Sequence, residues 1–510
     1  MHPGDKRYAK YSHGQKIEVE WINGPITATV IKDKAVDKEF GTGVMTITPW
    51  HDAADFAIAE RQQLDKEQVI DYDGKLLPIA GEFAGIHIKK ARPMIVEKLR
   101  EKGLLVRTDT DYTHRIATNS RGGGVIEPQI KEQWFVAVNK KFRIPHSKIK
   151  GIRKGQRTTL KELMLAAVKN KQVEITPKRF EKIYVHWVNH LHDWCISRQL
   201  WYGHRIPAWY RPKAGGKETR VGVTPPKGKG WEQDSDTLDT WFSSGMWTFS
   251  TLGWPLNFVR GKPKKGSDLA NYHPTSVIDP GYEILQLWVS RMILMSGYLL
   301  GEIPFHRVYF HGIVRDKDGR KFSKSLNNGI DPLEVIAAYG TDALRMSMTV
   351  GIGPGSDICF DMDKVKAYRN FTNKLWNIAR FILLHAEGKA AGAKPRFSTA
   401  QQKHLRELGT LAKKVTKYLD AFAFHHAAEL LYHYTWHIFA DKIIEETKPQ
   451  LMGGNPGERA QAVAFLLEIY TTLLKLLHPF MPFVTEELWA ELPALNKKKK
   501  RLLMVEQWPQ

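Results

Sequence analysis

Lys321-Phe322-Ser323-Lys324-Ser325 places two lysines three residues apart with small hydroxyl residues beside them. Each ammonium is a compact point charge that can meet a triphosphate, and the serines add neutral donors. Such a loop would stabilise the charge that develops on a departing pyrophosphate. Alone, the five residues fit a solvated basic loop equally well, so context decides. A second group is Asp52 and Asp55. Its two carboxylates stand three apart at the start of a helix-like stretch, which turns both to one side. Asp52 also has the position of a plain helix N-cap.

The elements that must position these groups are partly readable. A chain of 510 residues is too long for one core, and about three domains are expected. The formal net charge of +22 is a large positive field that favours a polyanionic partner. Two cysteines, Cys195 and Cys359, supply neither a disulfide framework nor a zinc site, and a reducing cytoplasm is expected. No apolar run approaches the ~18 residues of a membrane span, and no membrane partner is expected.

The first part reads as mixed α/β. Ile17-Glu18-Val19-Glu20-Trp21 alternates as a strand does, and Val44 to Ile47 does so less cleanly; His51–Leu64 and Ala91–Lys102 read as helices. Arg121-Gly122-Gly123-Gly124 is a candidate hinge. Further on, Ser276-Val277-Ile278, a turn at Asp279-Pro280-Gly281, a helix from Tyr282 to Leu300 and a strand at Val308–His311 compose a parallel βαβ unit. Ligands bind beyond the carboxyl ends of such strands, where Gly281 and the 321–325 loop fall. From about Asp361 the chain is helical, with apolar stripes at Tyr368, Phe371, Leu375, Ile378, Ile382 and at Leu466, Ile469, Leu473, Leu477, Phe480. Lys497–Arg501 is a solvated basic segment or a nucleic-acid contact.

Longer blocks carry a resemblance. The Lys321–Ser325 loop resembles the Lys-Met-Ser-Lys-Ser signature of class I aminoacyl-tRNA synthetases, with Phe322 in place of methionine. His192–Tyr210, Asp236–Gly245 and Gly281–Met292 resemble successive blocks of valyl-tRNA synthetases, and the isoleucyl branch usually carries different versions of the first two. The resemblance runs over the whole chain. It implies an α/β fold: part of an α/β editing domain (1–125), the C-terminal half of a Rossmann-like catalytic domain (126–357) and an all-α anticodon-binding bundle (358–510). It implies activation of valine by ATP, supplied with Mg2+ as substrate and with no protein-bound metal, followed by transfer to tRNA(Val).

By the same resemblance Lys321, Ser323 and Lys324 are catalytic, and His311 and Gly312 join the two lysines in holding ATP. Glu283 stands where the family usually has an Asp that would pair with the substrate ammonium. Trp241 and Trp288, with Gly281 and Ile284, would wall a valine-sized pocket. Such a pocket discriminates poorly against threonine, which exchanges a methyl for a hydroxyl at nearly the same size. Valyl enzymes are the familiar instance of that problem, and editing is its remedy. Gly41–Asp55 resembles the editing block, in which Asp55 would bind the amino group of a mischarged residue while Asp52 and Thr48 hold the threonyl hydroxyl and a water. Thr46 replaces a lysine found in many members. Arg369 and Lys374 are candidate tRNA phosphate contacts.

One signature has no counterpart. The His-Ile-Gly-His motif of class I enzymes is not found, and Met1 matches the interior of the editing insertion. The expectation is a C-terminal portion that acts when joined to, or complemented by, an N-terminal half, and that is monomeric when complete. The alternatives are a non-catalytic tRNA-binding protein, a free-standing editing fragment and an isoleucine–tRNA ligase.

Overall fold

The structure, a computed structural model, describes every residue except 114, 120, 121, 324–326, 387–395 and 493–501. Lys324 and Ser325, Arg121 of the expected hinge and the basic run 497–501 therefore lie outside the described residues. The chain divides into two units, Met1–Gln133 and Trp134–Gln510.

In the first unit the alternating run forms β1 (Lys16–Trp21), paired antiparallel with β2 (Gly24–Thr29). Helix α1 (Ala53–Gln62) begins at Asp52, whose Oδ1 accepts the N–H groups of Ala54 and Asp55, a cap of the kind that contributes about 1 kcal/mol. Buried Asp33 ties the end of α1 to the preceding segment. It accepts from the backbone of Ala35 and from the side chains of Arg61 and Gln62, and these bonds hold its carboxyl down at about 2. Helix α2 (Ile88–Glu101) starts three residues before the expected Ala91 because His87 caps it, accepting from Lys89 N. The strand expected at Val44–Ile47 does not form. No neighbouring strand pairs with it among the described residues, and alternation without a ladder leaves the backbone to water.

The second unit holds two cores. Around the first stand α3 (Leu160–Lys169), β3 (Glu174–Thr176), α4 (Arg179–Asn189), β4 (Thr275–Ile278), α5 (Ser290–Leu299) and β5 (Phe305–Tyr309). A capping box between Thr159 and Glu162 starts α3. The strands form one parallel sheet in the order β4-β5-β3, with Val277 opposite Arg307 and Val308 opposite Ile175. The βαβ unit is thus present, with β5 beginning at Phe305 rather than Val308. Val138, Ile175, Val289, Phe305, Val308 and Phe310 lie in its core. The other edge of β4 has no partner among the described residues, a feature that parallel sheets ordinarily cover. The single helix expected over 282–300 is a composite: a 3₁₀ turn at Tyr282–Ile284, a π segment at Leu285–Val289 and then α5. The wide turn buries Leu285 and Val289 while Glu283 faces outward, and π segments of this kind recur at functional sites.

Past β5 come β6 (Val314–Arg315), α6 (Pro332–Tyr339), α7 (Thr341–Ser347) and β7 (Ile358–Cys359), with β6 and β7 paired in parallel. The bundle follows: α8 (Met362–Ala386), α9 (Thr399–Asp420), α10 (Phe424–His433), a π segment at Tyr434–Ile443, α11 (Ile444–Gly453), α12 (Pro456–Leu477) and α13 (Pro482–Glu491). Both expected apolar stripes are buried in its core, which also takes in Val335, Ala343 and Met346 from α6 and α7. Asp342 of α7 accepts from Phe483 and Val484 at the start of α13, and Arg345 donates to the carbonyls of Pro479 and Phe480. Helix α12 is apolar and long enough to cross a membrane by length and composition, but its apolar residues are spent on the bundle core.

Candidate active site

At the carboxyl ends of β4 and β5 the backbone continues as a bridge between Gly281 and His311. His311 N donates to Pro280 O and Tyr282 N to His311 O, so the segment carrying Glu283 is fixed to the segment carrying Gly312. The next residue must be glycine. A Cβ at Gly312 would sit 1.8 Å from Ser356 O, because the chain after α7 returns directly over it. Asp357 completes this corner by accepting from Ile313 N, Arg315 Nε and Tyr282 Oη. Partial burial pushes its carboxyl up, but those donors outweigh burial and hold it below the usual range.

From Arg315 the chain turns through Asp316–Arg320 and comes back at Lys321, which bridges to Arg315. Lys321 Nζ lies 3.3 Å from both carboxylate oxygens of Glu283. The two groups expected to meet phosphate and ammonium are therefore neighbours, and both are solvent-exposed. Ser323 donates its backbone N–H to Asn328 Oδ1.

The pocket candidates lie on two adjoining segments. Trp241 stands in a short helix, Thr240–Ser244, started by Asp239, and Trp288 stands in the π segment. The Trp288 indole donates to Ser244 O at 3.0 Å, which joins the segments, and both tryptophans are half-buried against the first core. Ile284 is half-buried beside exposed Glu283. Asp239 is itself buried and accepts from Arg198 Nη2, Trp194 Nε1 and Trp241 N. Arg291 lies over the Trp194 ring, 4.0 Å from its centroid, and burial pushes its guanidinium down to about 10. Asp239 and Arg291 lie inside the Asp236–Gly245 and Gly281–Met292 blocks and Asp357 outside them, and the sequence assigns none of the three a role.

In the first unit Asp52 and Asp55 do different work. Asp52 is exposed and spends Oδ1 on the cap. Asp55 is 7% exposed and turns inward, where Oδ2 accepts Thr48 N at 2.7 Å. Burial pushes the Asp55 carboxyl up, the Thr48 N–H opposes this, and the charge of Asp52 adds to it. Thr46 and Thr48 are exposed. His51, which the sequence places at the start of the helix without a further role, is buried with both ring nitrogens engaged: Nδ1 meets Pro128 O, and Nε2 accepts from Val69 N and Ile70 N. A carbonyl only accepts, so Nδ1 carries the proton. In the bundle, Arg369 is exposed, whereas Lys374 is paired with Asp441 at 3.1 Å and lies over the Trp436 ring.

Known proteins share these blocks. The family described as tRNA synthetases class I (I, L, M and V) matches residues 32–224 and 217–361, and the anticodon-binding domain of tRNA ligase matches 401–510. The valine–tRNA ligase of Carboxydothermus hydrogenoformans is 41% identical over 100% of this chain and 55% of its own length. That of Enterococcus faecalis is 40% identical over 97% and 53%, and that of Bacillus subtilis 38% over 100% and 54%. The chain thus spans about half the length of the curated relatives it matches. Among solved structures, apo methionyl-tRNA synthetase of Mycobacterium tuberculosis aligns with a TM-score of 0.53 at 15% identity, over 86% of this chain and 80% of that one. The same enzyme in complex with methionyl-adenylate aligns at 0.52, over 69% and 68%. This likeness concerns the fold, while the family match covers both the strand-end corner and the lysine loop. The chain belongs to the class I tRNA synthetases (I, L, M and V).

Proposed function

We propose that this chain contributes the lysine-loop half of the ATP site, the valine pocket wall and an editing block to a valine–tRNA ligase acting in the cytoplasm. A carboxylate oxygen of valine attacks the α-phosphorus of ATP, the bond to the β-phosphate oxygen breaks, and pyrophosphate leaves. Lys321 and Lys324 neutralise charge on the phosphates, Ser323 adds a donor, and His311 and Gly312 line the strand end on which the nucleotide rests. Mg2+ enters with ATP. A ribose hydroxyl of the terminal adenosine then attacks the adenylate carbonyl and AMP departs. Work of this kind is positioning and charge stabilisation. In the editing block, Asp55 takes the ammonium of a misattached threonine, and Asp52 with Thr48 holds the threonyl hydroxyl and the attacking water. The bundle carries the anticodon end of tRNA(Val), with Arg369 and Lys374 on its phosphates.

The observation that carries the reading is the Glu283–Lys321 pair. A carboxylate at the end of β4 already holds one ammonium at 3.3 Å. The ammonium of valine is the same chemical group, and Trp241 and Trp288 stand on the adjoining segments. The test is valine-dependent ATP–pyrophosphate exchange by the 510-residue chain, alone and mixed with the separately expressed N-terminal half of the Bacillus subtilis enzyme. Exchange in either case, with valine preferred over isoleucine, is the expected result. Preference for isoleucine overturns the valyl assignment. No exchange in either case favours a tRNA-binding or deacylating protein.

A further inference from the structure

The segment carrying Lys321 and Ser323 is anchored by one side-chain amide. Asn328 Oδ1 accepts Ser323 N–H at 2.9 Å, while Asn328 Nδ2 donates to Asp316 Oδ2 at 2.9 Å and to Lys321 O at 3.3 Å. Asp316 is 8% exposed and is saturated with donors. Its Oδ1 takes the backbone N–H groups of Asp318 and Arg320, and its Oδ2 takes Arg320 Nε as well as the Asn328 amide. The Asn328 amide, ahead of the Arg320 backbone and side chain, holds this carboxyl down at about 2. Asn327 has a left-handed φ of 47°, a conformation Asn adopts more readily than most residues, just before Asn328. The position demands an acceptor and donors on one short side chain. An amide supplies both, whereas a carboxylate supplies only acceptors and alanine neither.

We propose that Asn328 is the positioning residue that presets Lys321 and Ser323 at the mouth of the candidate ATP site, an inference whose purpose rests on the phosphate-grip reading above. A loop held in place before the triphosphate arrives spares the ordering cost at the moment of binding. Asn328 does not touch substrate; it acts through the backbone of the residues that do.

The test is limited trypsin digestion of the 510-residue chain, with the cut at Lys321–Phe322 quantified by mass spectrometry. Asn328→Ala speeds this cut about tenfold, as expected for the loss of these hydrogen bonds, while cuts in the bundle keep their rates. Asn328→Asp keeps an acceptor for Ser323 N–H but sets a carboxylate against Asp316, and it speeds the cut at least as much. An unchanged rate in Asn328→Ala or in Asn328→Asp, or an equal rise at every site, overturns the proposal. Millimolar inorganic pyrophosphate protects Lys321 in the parent chain if the loop grips phosphate. No protection, with the Asn328 effects intact, removes the phosphate reading and leaves the positioning role standing.

Discussion

Asp55 and Asp316 are equally hidden, at 7% and 8% exposed, yet their carboxyls are driven in opposite directions. Asp316 meets two backbone N–H groups, a guanidinium and an amide, and its ionised form is favoured. Asp55 meets the N–H of Thr48 and the nearby charge of Asp52, so burial dominates and its carboxyl is pushed up. Burial alone therefore does not assign a role; the donors around the group do. A saturated carboxylate is scaffold, and Asp316 shapes the turn that presents Lys321. A carboxylate short of donors has capacity for a cation, which suits the ammonium of a misattached aminoacyl group at Asp55.

Truncation strains this contrast most. Asp55→Ala lowers hydrolysis of threonyl-tRNA(Val) at least about thirtyfold, the scale of losing one partner of a buried charge pair, while Asp316→Ala leaves that rate alone. Deacylation of pre-made threonyl-tRNA(Val) measures both. Equal losses would erase the distinction.

Next comes stability. Asp55→Asn keeps an acceptor for Thr48 N–H and removes a buried charge, so it stabilises the chain at neutral pH by no more than about 1 kcal/mol. Asp316→Asn replaces a carboxylate oxygen that accepts from Arg320 and lowers the melting temperature. Thermal denaturation of the two variants gives opposite signs.

The pH dependence follows from the same shifts. The Asp55 carboxyl is raised in the folded chain, so its effect on stability turns unfavourable as pH rises from the ordinary value of 3.8 through the raised one. Asp316 is depressed to about 2, so its stabilising contribution is complete above 3.8 and is lost as pH falls through about 2. Denaturation of Asp55→Asn and Asp316→Asn against the parent chain across this range separates the two slopes.

The smallest effect belongs to a surface pair. Lys374→Ala, which breaks the exposed contact with Asp441, changes stability by no more than about 0.5 kcal/mol in urea denaturation. Its effect on the salt dependence of tRNA binding is a loss of about one phosphate contact.

What the sequence disclosed follows the range of the forces involved. Local patterns were legible: the alternation of Ile17 to Trp21, the Asp52 cap, the bundle stripes and the strand–turn–helix–strand unit around Gly281 each arise from residues a few positions apart. Val44–Ile47 misled because a strand is defined by a partner that its own sequence does not contain. The helix over 282–300 was readable as helical, but its π segment buries Leu285 and Val289 in a core shared with α4, which is distant in sequence. The candidate loop was legible as Lys321 and Ser323, while its supports were not. Asn328 lies a few residues away but gains meaning from Asp316 across a turn, and Asp357 and His51 act through backbone groups 44 and 77 residues distant. Ordinary residue types at long range leave no spacing to read.

If Asp55 stands ready for an ammonium and Asp316 is already satisfied, the two must titrate apart and respond differently to a ligand. Carbon-13 NMR titration of selectively labelled aspartates in the 510-residue chain, with and without a non-hydrolysable threonyl-adenosine amide, reads both properties at once. Asp316 is expected at about 2 and indifferent to the analogue. Asp55 is expected to titrate above its own ordinary value and to be drawn downward when the analogue binds. An Asp55 that titrates at the ordinary value, or that ignores the analogue, would contradict the ammonium role.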